Sequence, residues 1–314
     1  MSELILHHYD GSPFSEKVRL VLGFKRLTWC SVRVPVVMPK PDVIALTGGY
    51  RRTPFMQIGA DIYCDSALMC RVIDRMAPQP PLYPVSATGL QHALAQWADS
   101  SLFWSAVPFT MQPAGVAHVF SGASPEQVKA FAVDRAAMTG GTRRVTIPDA
   151  GAQLATYCGW LESQLADGRT FLLGAEPCIA DFSVAQSIWF IHLAPPLVAV
   201  LTPYPKLVAW YRRVAEFGHG TSTRMSSGDA IDIAKATRSH APAHVEPGLG
   251  FEAGADVTVN ATDYAADPIG GRLVGLSAQE VVIERTDERA GTLHVHFPRI
   301  GFQVKKTASQ EIHR

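Results

Sequence analysis

The sequence predicts an α/β sandwich domain, then an all-helical domain, then a small all-β domain. Three observations predict this order. Strand and helix patterns alternate over residues 1–83. A run with four prolines in seven residues, Pro78-Gln79-Pro80-Pro81-Leu82-Tyr83-Pro84, then interrupts the chain, and helical spacing takes over. From Gly248 onward the apolar period becomes two. The 314 residues, 47% of them hydrophobic, suffice for two or three packed domains.

Within residues 1–83, Leu4–His8 is a short apolar strand. Asp10-Gly11-Ser12-Pro13 is a turn feeding a helix, with Ser12 at the cap and Pro13 at the first helical position. Phe14, Val18, Val21, Leu22 and Lys25 continue it at helical spacing. Residues 29–37 are β-branched and read as a second strand. Residues 54–58 and 62–64 flank Gly59-Ala60-Asp61 as a hairpin, and a helix follows over 66–76.

After the prolines, which mark a linker, residues 84–220 are helical. Leu90, Leu94, Trp97, Ser101 and Trp104 keep i/i+3/i+4 spacing, as do Leu154, Tyr157, Leu161 and Leu165, and Leu207, Trp210, Val214 and Phe217. Residues 221–247 are rich in Ser, Ala, Gly, Pro and His and are expected to be a linker with a short helix at 228–238. In 248–314, Val257/Val259, Val281/Ile283, Leu293/Val295/Phe297 and Phe302/Val304 alternate with polar neighbours. Four or five short strands there suggest a small β-barrel-like domain.

Charge excludes some partners. The 28 basic and 28 acidic residues cancel, against the basic excess usual in nucleic-acid binders. No membrane span is expected, because the most apolar stretch, 188–201, is shorter than the ~20 residues needed and is broken by His192, Pro195 and Pro196. The start carries Glu3 where a signal peptide would be basic, and the five cysteines form no CxxC pair, so a reduced cytoplasmic protein is expected.

The chemistry concentrates near the start. Ser12 stands ahead of a helix whose first amides are unpaired, a place that favours an anion such as a thiolate brought by a substrate. The plainer reading is that Ser12 only caps the helix. Companions follow in order: Arg52-Thr53-Pro54 before a strand, where the proline could be cis and expose the Thr53 backbone, and Asp65-Ser66 opening the next helix, where an acid and a hydroxyl can take an ammonium and a carboxylate.

This set resembles the glutathione transferase superfamily. The S-P-F-S-x-K-V-R-L segment from Ser12 is similar to its omega/tau-type signature, whose first position serves the glutathione sulfur. The resemblance implies a thioredoxin-like N-terminal domain and an all-α C-terminal domain over residues 1–220, with 248–314 outside the family pattern. It implies that Thr53-Pro54 is the cis-proline pair holding the cysteinyl backbone, that Asp65-Ser66 holds the γ-glutamyl end, and that Arg52 and Lys40 serve the glycyl carboxylate on a looser match. A Ser/Thr-x-x-Asp capping box of the family maps to Cys178-Ile179-Ala180-Asp181, where a thiol replaces the capping hydroxyl and should weaken the cap.

The function so implied is a transferase with glutathione as co-substrate. Ser12 would lower the thiol pKa, and the thiolate would attack a small apolar electrophile or a peroxide held by the helical domain. Phe14 and Trp104 are candidates for that apolar wall. A homodimer is implied as well. The alternative is a non-catalytic scaffold acting through the C-terminal β domain, since a fold does not fix function. Cys64 and Cys70 are expected to be buried structural thiols, His7-His8 to be packing residues, and Arg143-Arg144 and Lys305-Lys306 to be ordinary surface. His294 and His296 share a strand face that could join a metal site, but no acid or cysteine cluster accompanies them in sequence. They are expected on a solvated face, and no metal is expected.

Overall fold

The structure, a computed structural model, describes residues 3–140 and 145–307. Arg143-Arg144 lie outside the described residues. The N-terminal part runs β1 (Leu4–His8), α1 (Pro13–Phe24), β2 (Thr28–Arg33), α2 (Pro41–Thr47), β3 (Phe55–Ile58), β4 (Asp61–Cys64) and α3 (Ser66–Met76). β1 pairs parallel with β2 and antiparallel with β3, and β3 and β4 form the expected hairpin. This is the thioredoxin-like arrangement. β2 ends four residues before the expected limit, where Pro35 has no amide hydrogen to extend the ladder. Short α2, opened by Pro41 and closed by Gly48 at φ 78°, was not foreseen.

β1 is buried on both faces, with Leu4 and Leu6 toward one core and Ile5 toward another. His7 stacks on Phe55 and bonds Gln57 at 2.9 Å, and His8 bonds Ser31 at 2.9 Å. Burial holds the His7 imidazole down to about 4. Burial, then the Arg19 cation, hold His8 down to about 3. Both therefore stay neutral in the fold while the unfolded chain takes up protons below about pH 6.5. The stabilisation is complete above that pH and falls as pH drops toward the folded values, by at most ~1.4 kcal/mol per pH unit for each ring. Thermal unfolding followed from pH 7 to 4.5 should show a falling midpoint, and His8→Asn should flatten the slope by about half. A midpoint that does not fall would contradict this account.

The proline run is pinned, with Leu82 fully buried and its amide on Asp74 at 2.8 Å. The helical part comprises α4 (Thr88–Trp97), a π turn at Ala98–Leu102, α5 (Phe103–Thr110), α6 (Pro113–Val119), α7 (Pro125–Thr139), α8 (Ile147–Gln164), α9 (Ile179–His192) and α10 (Pro205–Ala215). α9 is buried almost throughout and packs on α1, so one apolar core spans both parts. α1 is equally enclosed: a Cβ at Gly23 would meet the Gly218 carbonyl oxygen at 2.1 Å, so only glycine allows that approach.

Asp181 anchors the start of α9. Its Oδ2 accepts from the Cys178 amide at 2.9 Å, and its Oδ1 accepts from the Leu172 amide at 2.9 Å and from Trp210 Nε1 at 2.8 Å. The cap weakened by Cys178 is thus supported from the other half of the box.

Residues 221–247, expected as a linker, carry a strand. β5 (Thr221–Met225) pairs parallel with β2, and α11 (Ser227–Ala236) follows close to the expected helix. The β2 edge needs partners for its backbone groups, and this exposed polar segment supplies them. β6 (Asp256–Ala261), β7 (Ile269–Leu276), β8 (Glu280–Asp287), β9 (Gly291–Pro298) and β10 (Phe302–Lys306) then form an antiparallel sheet, β10 returning onto β6. The sheet curls so that Phe297 and Phe302 meet at 5.5 Å between ring centroids. β9 also pairs parallel with β4, which makes one ten-stranded sheet, β10-β6-β7-β8-β9-β4-β3-β1-β2-β5. Phe55, Ile62 and Cys64 share a core with Val259, Ile283 and Phe297, so the last strands are built into the N-terminal sheet.

That pairing corrects the expectation for the histidine pair. His296 is buried, bonding Asp61 at 2.9 Å and Glu280 at 2.7 Å, and His294 lies opposite Asp61 in the β4–β9 register. Neither stands on a solvated face, because β4 continues the sheet beside them and that face is covered, Tyr63 stacking on His296 and His240 on His294. Cys64 and Cys70 are fully buried; burial pushes the Cys70 thiol up to about 12 and raises Cys64 well above its ordinary value. Lys305 and Lys306 are exposed. No helix among the described residues is long and apolar enough to cross a membrane.

Candidate active site

Ser12 takes an extended backbone at φ −87°, ψ 121° and caps α1: its Oγ accepts from the Ser15 amide at 3.2 Å. The hydroxyl donates to the Thr53 carbonyl at 3.3 Å, which ties the start of α1 to the turn before β3. The Thr53–Pro54 peptide is cis. Asp65, the cap of α3, sits at φ 75°, a left-handed conformation that costs an aspartate about 1–3 kcal/mol. Its amide donates to the Tyr50 hydroxyl at 3.1 Å and its Oδ1 accepts from the Ala67 amide at 2.8 Å, two bonds that hold the strained residue in place.

Two cavities meet here. The more polar one, of about 170 Å³, is lined in part by Thr53, Pro54, Asp65 and Ser66, with Arg71 at its side. A larger one of about 560 Å³ is mostly apolar, with Ser12, Trp104, Phe103, Phe131 and Met138 in its wall. Phe14, Arg52, Thr53 and Tyr264 line both. Five predicted residues, Thr53, Pro54, Asp65, Ser66 and Arg52, therefore share the polar pocket, and Ser12, Phe14 and Trp104 share the apolar one.

Two residues depart from their expected setting. Lys40 lines neither cavity. It is buried with Nζ on the Arg51 carbonyl at 3.3 Å, and burial together with the nearby Arg135 cation lowers it to about 8. Arg52 reaches the pocket but is engaged: it donates to the Asp263 carboxylate and to the Tyr264 carbonyl, and lies 3.9 Å from the Tyr264 ring centroid. The acidic group and phenol nearby raise its already high pKa despite burial.

Sequence reasoning missed Asp263 and Tyr264, which come from the loop between β6 and β7 and wall the pocket from the C-terminal side. Tyr264 also meets Trp104 edge-on at 5.3 Å. It missed the fully buried Lys17, whose Nζ donates to Asp99 at 2.5 Å. Asp99 lies in the π turn beside the polar pocket and also accepts from Gln186 at 2.7 Å. A lysine inside an apolar helix face was the available signal for that pair. The Arg52 contacts had no local signal.

A thioredoxin-like domain with a pocket at its cis-proline turn, beside an apolar cavity under an all-helical domain, is the two-domain architecture of the glutathione-transferase class. The chain belongs to the glutathione S-transferase superfamily. Residues 6–81 match the family model "Glutathione S-transferase, N-terminal domain", and residues 132–213 match "Glutathione S-transferase, C-terminal domain". A crystal structure of a GST-like protein from Pseudomonas syringae is 44% identical over 98% of this chain and 100% of that one, with a TM-score of 0.79, so the likeness extends into the C-terminal strands. Glutathione S-transferase III in its apo form is 20% identical over 68% of this chain and 92% of its own, at a TM-score of 0.53. FzlA from C. crescentus is 21% identical over 79% of this chain and 95% of its own, at 0.51. These two share the fold. No curated protein matches the sequence.

Proposed function

We propose that this protein is a glutathione transferase of the omega/tau-like serine type, working as a cytoplasmic homodimer. One observation carries the reading: Thr53, Pro54, Asp65 and Ser66 line one polar pocket that adjoins the apolar cavity holding Ser12. Glutathione lies in the pocket with its ammonium at Asp65, its γ-glutamyl carboxylate at Ser66 and its cysteinyl backbone against Thr53. The sulfur then points to the N-terminus of α1, where the helix dipole and the Ser12 hydroxyl favour the thiolate. The thiol proton leaves to water, and the thiolate attacks an apolar electrophile held against Phe14 and Trp104. Serine cannot form a disulfide with the tripeptide, so the chemistry is conjugation or peroxide reduction.

One observation favours the scaffold reading: the Ser12 hydroxyl is already satisfied by Ser15 and Thr53, and Arg52 is occupied by Asp263. Calorimetric titration with glutathione separates the two. The expected result is saturable binding, weakened about 10-fold or more in Asp65→Asn, because a charge-assisted bond to the ammonium is worth about 1.5–3 kcal/mol. Asparagine keeps the cap and tolerates positive φ, so the fold is retained. Absence of binding to the wild type at millimolar glutathione would end the transferase reading.

A further inference from the structure

Outside the two cavities, three side chains from distant parts of the chain converge at the seam between the N-terminal sheet and the C-terminal strands. Asp61 opens β4, His294 stands opposite it in β9, and His240 comes from the connection after α11. His240 Nδ1 lies 3.7 Å from Asp61 Oδ1, and His294 Nδ1 lies 3.9 Å from the same oxygen. The two imidazoles stack, 3.8 Å between centroids and 15° between planes. One donor atom from each of the three residues falls within 4.8 Å of the others.

These distances are too long for hydrogen bonds. Both Nδ1 atoms are buried and have no hydrogen-bond partner. Buried ring nitrogens are ordinarily paired, so two unpaired ones within 4 Å of one carboxylate oxygen call for a ligand. Around a tetrahedral zinc, with bonds of about 2.0–2.1 Å, neighbouring donors sit about 3.4 Å apart. Reaching that spacing from Asp61 takes a contraction of a few tenths of an ångström, and the two stacked rings must also rotate out of their near-parallel planes so that both Nδ1 lone pairs meet at one ion.

We propose that Asp61, His240 and His294 form a binding site for a divalent transition-metal ion of the zinc class. Two imidazoles and one carboxylate are a borderline donor set that suits zinc, cobalt or nickel and disfavours magnesium or calcium. The surroundings support the ligands. Glu284 Oε2 lies 3.6 Å from His294 Nε2, beyond hydrogen-bond length in this structure but close enough to become the outer carboxylate on that nitrogen once the ring turns toward an ion. Asp61 Oδ2 accepts from the Ala241 amide at 3.0 Å, and its Oδ1 also accepts from His296 Nε2 at 2.9 Å, so the carboxylate is oriented before an ion binds. Three protein donors leave a fourth position for water, and the 17% and 12% exposure of the His240 and His294 side chains gives an ion a way in. None of the three lines either cavity of the candidate active site. The ion's role is therefore to clasp the C-terminal strands and the 237–247 connection to the β3–β4 hairpin.

The test uses the full chain without a histidine tag, stripped with chelator and titrated with Co²⁺ in the absence of glutathione. Expected is one equivalent of Co²⁺ with visible absorption of low-coordinate cobalt, displaced by Zn²⁺. His240→Gln and His294→Gln should each weaken Co²⁺ binding by more than about 100-fold. His118→Gln, on the exposed side of α6, should leave it unchanged. Chelator should lower the unfolding temperature of the zinc-loaded wild type but not that of His240→Gln, whose circular dichroism should match the wild type. Absence of saturable Co²⁺ binding to the wild type, or wild-type affinity in both glutamine variants, would overturn the proposal.

Discussion

Asp181→Ala is expected to destabilise the protein by about 3–5 kcal/mol, among the largest effects of a single substitution. The carboxylate is fully buried and accepts three hydrogen bonds, from the Cys178 and Leu172 amides and the Trp210 indole. Alanine removes the acceptor and leaves three donors with no partner, each costing about 1–3 kcal/mol. The burden is concentrated because the other half of the capping box is a thiol, a weak acceptor, and because Trp210 is itself fully buried. Burial alone pushes the Asp181 carboxyl up, and the three donors oppose that shift. Asp181→Asn keeps an acceptor oxygen but turns an amide nitrogen toward a donor, so an intermediate loss is expected. Chemical denaturation reads both values, with a fall in unfolding temperature on the order of 10 °C for alanine. A loss under about 1 kcal/mol would show that α9 is not anchored at this residue.

Ser12→Ala is expected to lower kcat/KM for glutathione conjugation by about 10- to 100-fold, the equivalent of one charge-assisted hydrogen bond to a thiolate. The Ser12 hydroxyl donates to the Thr53 carbonyl in the free protein and can turn to the sulfur when glutathione arrives. Without it, the bound thiol should titrate about one to two units higher, and the pH–rate profile should move by that amount. Losing the cap costs roughly 1 kcal/mol of stability as well, so the profile, not the rate alone, identifies the thiolate contact. Ser12→Thr retains hydroxyl and cap and should stay near wild type. Ser12→Cys should acquire a different reaction: its thiolate attacks glutathione disulfide, forms the mixed disulfide and releases one glutathione thiolate. An unshifted pH profile in the alanine variant would leave Ser12 with its capping role only.

Much of the candidate site was legible because its parts are local. Ser12-Pro13 is a cap followed by a first-turn proline, Asp65-Ser66 opens a helix, and Thr53-Pro54 precedes a strand; each is set by residues within three or four positions. The hairpin around Gly59-Ala60-Asp61 and the period-two strands after Gly248 were legible for the same reason. Lys40 shows the limit. The family resemblance implied, on a loose match, that it serves the glycyl carboxylate, yet the start of α2 packs it under the Arg51 carbonyl. β5 could not be read because Thr221–Met225 is exposed and polar, with no alternation to mark it as a strand.

By itself the sequence determined the order of the domains, the helix caps and the residue types facing the two cavities, since each follows from short-range backbone preferences and apolar period. Only the tertiary structure decided which edges meet. β9 pairs with β4, Asp263 and Tyr264 close on Arg52, and Asp61 is brought to His240 and His294. The physical reason is that an unpaired strand edge or a buried charge states a need without stating its partner. The partner is selected by how the chain packs over separations of some two hundred residues, as between Arg52 and Asp263, and no local pattern encodes that choice.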